Sequence, residues 1–347
     1  GFAWLTINDQ EIGIVDVPGH KDFIENMLAG VGSIELALLV IAADEGVMPQ
    51  TSEHLAILDL LQIKDGIVVL TKTDLIDDPD WLELVMLDVS DTVSGTALAE
   101  APILPVSAYT GEGLDELKTL LEEKMKSMGA HPDNGRPRLA VDRVFTLSGF
   151  GTVITGTLTG GSLSVGDQVE IVPGKQKARI RVLQTHKRKL TTAYPGSRVA
   201  INLTGVDRDE IQRGQVIAGP DTISDTILVD AFYRHLAGAN DPLKHNMQVK
   251  LFIGAAEVLA RTRVIGQKEI GPGQEGWLQL ALSEPVAAAR NDRIILRLPS
   301  PAATLGGGYI LDPHPGRRHR RFRPESLERL QTLAKGSPED IIFMTLD

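Results

Sequence analysis

Asp16-Val17-Pro18-Gly19-His20 concentrates the most chemistry into the fewest residues of this 347-residue chain. It follows a short apolar run, Ile12 to Val15, and precedes a helical pattern. A carboxylate at a strand end can hold a magnesium ion, commonly through water. A glycine in the following turn brings its backbone N–H close to a phosphate, because no side chain intervenes. Alone, Asp-x-x-Gly has little specificity. Two further segments supply it: Thr71-Lys72-Thr73-Asp74 directly after the apolar run Ile67 to Leu70, and Ser107-Ala108 directly after Ile103 to Val106. An Asp carboxylate accepts two hydrogen bonds from the N1–H and N2–H edge of guanine, and adenine offers no such pair. A lysine stem covers the base plane, and a backbone N–H near Ala108 can donate to O6. Together the three segments read as a guanine pocket at one end and a phosphate–magnesium site at the other. Taken singly, Lys72 and Asp74 read as a surface turn and His20 as a helix-start residue.

The elements that position these residues alternate from Glu11 to about Met128. Helical spacing runs over Lys21 to Ala29, Thr51 to Leu61, Trp81 to Val93 and Leu114 to Met128. Apolar runs mark strands at Leu36 to Ala42, Ile67 to Leu70 and Ile103 to Val106. The unbroken run from Leu36 predicts a strand buried on both faces. Such alternation predicts an α/β domain, a parallel sheet with helices on both faces, whose ligands lie beyond the carboxyl ends of the strands. From Ala130 to Pro137 the chain is polar and turn-rich. Beyond it, short alternating segments separated by glycine turns predict two β-barrels. The expected division is 1–129 for the α/β domain, 130–137 for a linker, 138–220 and 221–315 for the barrels, and 316–347 for a basic linker and the start of a helical region. Gly306-Gly307-Gly308 reads as a bulge or tight turn between strands.

Composition narrows the function classes. Net charge is −11, so an anionic polymer would need a local basic patch. The chain has no cysteine, which excludes disulfides, thiolate metal sites and thiol nucleophiles and fits a reducing compartment. Aromatic residues are 4%, against single-strand binding by base stacking. The longest apolar run, Leu36 to Ala43, is far below the roughly 20 residues of a membrane span. His186, His235, His245 and His314 are too scattered for a metal site. A cytoplasmic, monomeric protein without a membrane partner is expected. The opening Gly1-Phe2-Ala3-Trp4 reads as mid-strand, so truncation at both ends is also expected.

The run DVPGHKDFIENMLAGVGSIELALLVIAADEGVMPQTSEHL resembles the second half of a translational GTPase domain of the elongation factor Tu superfamily. Within it, RLAVDRVF (138–145), GTVITGT (151–157), PSPAATLGGG (299–308) and ILDP (310–313) resemble the selenocysteine-specific elongation factors, over almost the whole chain. The resemblance implies a partial P-loop GTPase domain, GTP or GDP with Mg2+ as cofactors, and GTP-dependent delivery of selenocysteinyl-tRNA to the ribosome. It also implies a messenger hairpin bound through a further C-terminal region. By that resemblance Asp16 serves magnesium through water, and Pro18 and Gly19 lie against the γ-phosphate. His20 positions the attacking water, and Thr71, Lys72, Asp74, Ser107 and Ala108 form the guanine pocket. Two departures stand out: Thr71 occupies a position where most GTPases have Asn, and residues 1–347 contain no G-x-x-x-x-G-K-S/T loop, the source of most phosphate donors. Weak or no GTP binding by this chain is the expectation.

The resemblance also places Asp142, Arg143 and Arg198 in an amino-acid pocket of the first barrel, lined by Phe2. A selenol is far more acidic than a thiol, whose pKa is about 8.5. Selenocysteine is therefore an anion at neutral pH, serine is neutral, and a cationic pocket would separate them by charge. Arginine in a strand is otherwise usually solvated or salt-bridged. Arg317 to Arg323 reads either as a grip on tRNA phosphate or as a solvated junction. Other readings stay open: an initiation factor 2 γ or elongation factor Tu type carrier, a non-catalytic RNA- or protein-binding module, or a GTPase subunit of an enzyme such as ATP sulfurylase.

Overall fold

The computed structural model describes residues 2–7, 10–19, 24–28, 34–129, 131–147, 149, 151–185, 188–337 and 339–341. The chain divides into two compact units, close to residue 130. In the first, β1 (Phe2–Ile7) and β2 (Gln10–Val15) form an antiparallel hairpin, with Leu5 opposite Ile12. After α1 (Ile24–Leu28) come β3 (Leu36–Ala42), α2 (Pro49–Leu61), β4 (Asp65–Thr71), α3 (Pro79–Val93), β5 (Ile103–Pro105) and α4 (Leu114–Ser127). The parallel sheet runs β3-β4-β5, the alternation read from the sequence. β4 is its centre, with Ile67, Val68, Val69 and Leu70 all buried. Both α2 and α3 begin two residues earlier than their apolar periodicity indicates. Pro49 and Pro79 occupy the first turn, where a missing N–H costs nothing.

β3 departs from expectation. Ala37, Leu39 and Ile41 are buried, whereas Leu38 and Val40 are 42% and 59% exposed. The strand pairs with β4 alone among the described residues, and one of its faces is covered. An apolar run cannot reveal that, because it reads the same with one face covered or two.

The second unit holds two closed barrels. The first comprises β6 (Arg138–Leu147), β7 (Gly151–Thr159), β8 (Leu163–Ser164), β9 (Gln168–Val172), β10 (Gln176–Thr185), β11 (Arg188–Leu190), β12 (Thr192–Ala193), β13 (Arg198–Thr204) and β14 (Val216–Ala218). Its ring runs β10-β13-β7-β6-β14-β9 and back to β10. Residues 131–137 are pinned to this barrel, since Asn134 and Arg136 both donate their N–H to Gly160 O at 3.1 Å. The second comprises β15 (Asp225–His235), β16 (Leu243–Lys244), β17 (Gln248–Ile253), β18 (Ala256–Ile265), β19 (Glu269–Ile270), β20 (Glu275–Ala287), β21 (Arg293–Leu298) and β22 (Ala303–Asp312), followed by α5 (Pro324–Lys335). Its ring is β15-β20-β18-β17-β21-β22. Arg138 of the first barrel forks onto both carboxylate oxygens of Asp292 in the second at 2.9 and 2.8 Å. A charged pair of this kind, three-quarters buried, contributes about 1.5–3 kcal/mol.

Gly306-Gly307-Gly308 is not a turn. It lies inside β22, opposite His235, Arg234 and Tyr233 of β15. A Cβ at Gly306 would collide with Arg234 O, and one at Gly308 with Phe232 O. Glycine here permits close strand approach, and register breaks flank the run on both sides.

Candidate functional site

In the first unit the guanine-type residues converge at the carboxyl ends of β4 and β5. Thr71 closes β4: its hydroxyl donates to Ile41 O at 3.3 Å, and its carbonyl accepts from Ala43 N at 2.8 Å. Lys72 then adopts the left-handed conformation at φ 61°, which turns the chain into the single 3-10 turn Thr73–Leu75. Its ammonium sits 3.2 Å from Asp44 and 3.4 Å from Glu45. The hydrogen bond to Asp44 is the main reason the ammonium titrates above the ordinary lysine range. With its charge answered there, the side chain has its aliphatic stem to offer a base plane.

Ser107 is fully buried and links the two segments. Its hydroxyl donates to Asp74 Oδ1 at 2.5 Å and accepts from the N–H groups of Tyr109 and Thr110 at 3.2 and 3.0 Å. One carboxylate oxygen is thereby fixed, and the other faces no donor among the described residues. The Ala108 N–H has no acceptor among them either, and Thr73 Oγ1 is buried without a partner. A carboxylate acceptor edge beside an unused N–H donor is the set that guanine requires, so the residues present fit the base.

The phosphate-end residues follow β2. Asp16 is exposed after β2, whose described ladder runs to β1. Val17 and Pro18 are half-buried, and a Cβ at Gly19 would meet nothing within 4 Å. His20, and the side chain of Phe2 in β1, lie outside the described residues. Among those described, no group of three or more His, Asp or Glu could hold a metal ion. A single carboxylate fits magnesium held through water and phosphate, which is how that ion is usually bound.

In the first barrel a β-bulge interrupts β6–β7 pairing between Val141 and Arg143, re-aiming Asp142. Asp142 Oδ1 accepts from Thr155 Oγ1 at 2.6 Å, and Oδ2 accepts from Arg198 NH1 at 2.6 Å. Both charged side chains are mostly buried, at 13% and 23% exposure. Arg143 and Arg198 flank β7, opposite Thr155 and Thr157, on strands roughly 10 Å apart. Arg143 is exposed beside a groove of about 490 Å³, which Asp142, Phe145, Arg208, Ile211 and Arg213 also line. Arg198 is absent from that lining. The structure thus joins Asp142 to Arg198 and leaves Arg143 on the groove side.

Sequence reasoning missed Asp44, Glu45, Thr155, Arg208 and Arg213. Only Asp44 and Glu45 carried a signal, as acids just past a strand end. The others become partners through strand adjacency or a distant turn.

Comparison with known proteins identifies the domains and the family. Residues 3–127 match the family model of the elongation factor Tu GTP binding domain, and residues 151–218 that of elongation factor Tu domain 2. Residues 231–317 match the β-barrel domain of the selenocysteine-specific elongation factor. The selenocysteine-specific elongation factor of Desulfomicrobium baculatum is 41% identical over 347 residues, all of this chain and 54% of that protein. That of Methanocaldococcus jannaschii is 32% identical over 90% of this chain and 70% of its own length. A crystal structure of a bacterial selenocysteine-specific elongation factor superposes with TM-score 0.87 at 28% identity, covering 99% of this chain and 56% of that one. The chain spans about half the length of the bacterial curated relatives it matches. A GTPase-type α/β domain, two barrels of matching kind and this level of identity give one conclusion: the chain belongs to the selenocysteine-specific elongation factor family, the translational GTPases of elongation factor Tu type.

Proposed function

We propose that this chain is part of a GTPase that delivers selenocysteinyl-tRNA to the ribosome and hydrolyses GTP in doing so. The observation that carries the reading is the Asp142–Arg198 ion pair, held at a bulge in the first barrel with Arg143 beside it. It is a charged site on a rigid scaffold, of the kind that separates an anionic esterified residue from a neutral one. Asp74 receives the guanine N1–H and N2–H edge, Lys72 covers the base, and Ala108 N–H donates to O6 while Ser107 and Thr71 hold the walls. Asp16 would hold magnesium through water, and Pro18 and Gly19 would lie against the γ-phosphate. His20 positions the attacking water. Magnesium, when bound, neutralises phosphate charge; the rest of the catalysis is positioning for in-line attack.

Cytoplasm, a monomeric state, the ribosome and a messenger hairpin bound elsewhere in the whole protein belong to the same proposal. In the described residues, no helix is long and apolar enough to cross a membrane. Residues 1–347 contain no G-x-x-x-x-G-K-S/T loop, so GTP binds them weakly or not at all. The test is equilibrium binding of selenocysteinyl-tRNA and seryl-tRNA to the whole protein and to variants at Asp142 and Arg198. A preference for the selenocysteinyl form that follows the local charge supports the reading, and equal changes for both refute it.

A further inference from the structure

After β22 the chain runs through Pro313-His314-Pro315-Gly316-Arg317-Arg318-His319-Arg320-Arg321-Phe322-Arg323, five arginines and no acid in a protein of net charge −11. The segment has no strand or helix of its own, yet it is tightly held. Asp230, fully buried in the second barrel, accepts from Gln279 Nε2 at 2.9 Å and pairs with His319 Nε2 at 2.6 Å. The same Gln279 amide reaches Arg317 O at 3.1 Å, and its oxygen accepts from His319 N at 3.1 Å. Arg263 donates to His319 O at 3.2 Å. Arg321 turns inward and donates to the carbonyls of Val264, Gln267 and Lys268 at 2.9–3.0 Å, while its own carbonyl accepts from Gly266 N at 2.6 Å. A buried polar network of this size is costly against an apolar core. What it secures is the position of the segment.

The anchored residues 319 and 321 alternate with exposed ones. Arg317, Arg318, Arg320 and Arg323 are exposed, and among the described residues none of them has a carboxylate partner. Phe322 is 62% exposed, with the Arg321 guanidinium 4.8 Å from its ring centroid. The N-terminus of α5 follows at once, with Arg323 at its N-cap making no capping bond, so the helix dipole adds positive potential. Acids resume at Glu325. Like charges fixed side by side repel one another unless an anion lies across them.

We infer that the exposed arginines of residues 317–323 form a binding site for the phosphate backbone of a folded RNA. Guanidinium forks match phosphate oxygens, and an exposed ring beside an arginine gives a base or ribose a surface to stack on; an acidic peptide would use only the charge. This deepens the tRNA-carrier reading and rests on it only for the choice of polymer. The test titrates residues 1–347 with a non-acylated RNA stem–loop between 50 and 200 mM salt, with a polyglutamate peptide in parallel. The stem–loop carries no esterified residue, so the result is independent of the pocket at Asp142. If each of the four arginines neutralises one phosphate, the log–log salt slope is about −3.6, or an affinity loss of about 150-fold over that range. Replacing all four by alanine removes most of that slope, and replacing all four by lysine keeps it. The alanine variant's thermal midpoint checks the fold. Unchanged slope and affinity in a folded alanine variant, or tighter binding of polyglutamate than of RNA, overturns the inference.

Discussion

Removing Arg198 and Asp142 singly and together separates charge from shape in the first barrel. Arg198→Ala lowers the local charge by one unit, Asp142→Asn raises it by one, and the double variant restores it. Arg198 NH1 is committed to Asp142 Oδ2 at 2.6 Å, with both side chains mostly buried. Arg198→Ala therefore leaves a carboxylate whose remaining hydrogen-bond partner among the described residues is Thr155, 2.6 Å away, next to the place assigned to an anionic ligand atom. An unanswered carboxylate beside that ligand atom should cost about as much as one charge-assisted contact, about 1.5–3 kcal/mol, or about ten- to a hundredfold in affinity. Selenocysteinyl-tRNA should weaken by that factor in Arg198→Ala, and seryl-tRNA should change less than about threefold. Asp142→Asn should hold or increase the selenocysteine preference. The double variant should recover most of what Arg198→Ala loses, a non-additivity expected only of groups that act through each other. The assay is equilibrium binding of both aminoacyl-tRNAs to the GTP-loaded whole protein at fixed salt. If the double variant stays as poor as Arg198→Ala, or both tRNAs weaken alike, selection by charge is wrong.

Ser107→Ala deletes three hydrogen bonds at a fully buried position and frees Asp74 to rotate; in the whole protein, guanine nucleotide affinity by calorimetry should fall at least about tenfold, from a loss near 1.5 kcal/mol. Gly308→Ala places a methyl against Phe232 O inside β22, so exchange protection of β15 and β22 amides should collapse while that of β4 is retained. His235 is buried, and burial holds its imidazole below the usual histidine range. It therefore stays neutral to lower pH in the folded barrel than in the unfolded chain, which takes up a proton below about pH 6.5. The second barrel should lose stability as pH falls through that value towards the depressed folded pKa. In His235→Gln, which can still meet Tyr233 and Asp241, this part of the loss should vanish by intrinsic-rate-corrected hydrogen exchange.

The elements that could be read from sequence are those whose burial pattern is strong. β3 coincides with the apolar run Leu36 to Ala42, and β4 announces itself by continuous burial. β18 leaves a weak signal because its inward positions include Ala260 and Thr262, too small or polar to stand out beside Arg261 and Arg263. β22 escaped because glycine normally punctuates strands, and only the neighbouring strand explains why Gly306 and Gly308 must lack side chains. The same division holds at the site. Residue type and strand-end position marked Asp74, Lys72 and Ser107. Nothing in the linear order tells that Asp44 and Glu45 would neutralise Lys72, or that Thr155 would share Asp142 with Arg198. Those pairings are products of the ladder.

Both barrels place an acid where the ladder breaks. Asp142 is the extra residue of the β6–β7 bulge, and Asp230 borders a register shift between β15 and β22. In a regular barrel, side chains alternate inward and outward, and an inward carboxylate would be desolvated without reward. A break changes that geometry and lets neighbouring polar groups reach the carboxylate: Thr155 and Arg198 in one barrel, Gln279 and His319 in the other. Burial still pushes the Asp230 carboxyl above its ordinary range, with the His319 hydrogen bond pulling the other way. In each case the carboxylate is joined to a basic side chain, Arg198 of β13 in one barrel and His319 of the arginine-rich segment in the other. Apolar inward positions such as Val141 or Leu280 should then tolerate volume-conserving exchange with little change in binding. Positions 142, 155, 230, 279 and 319 should not, because there the irregular backbone and the charge it supports have to change together.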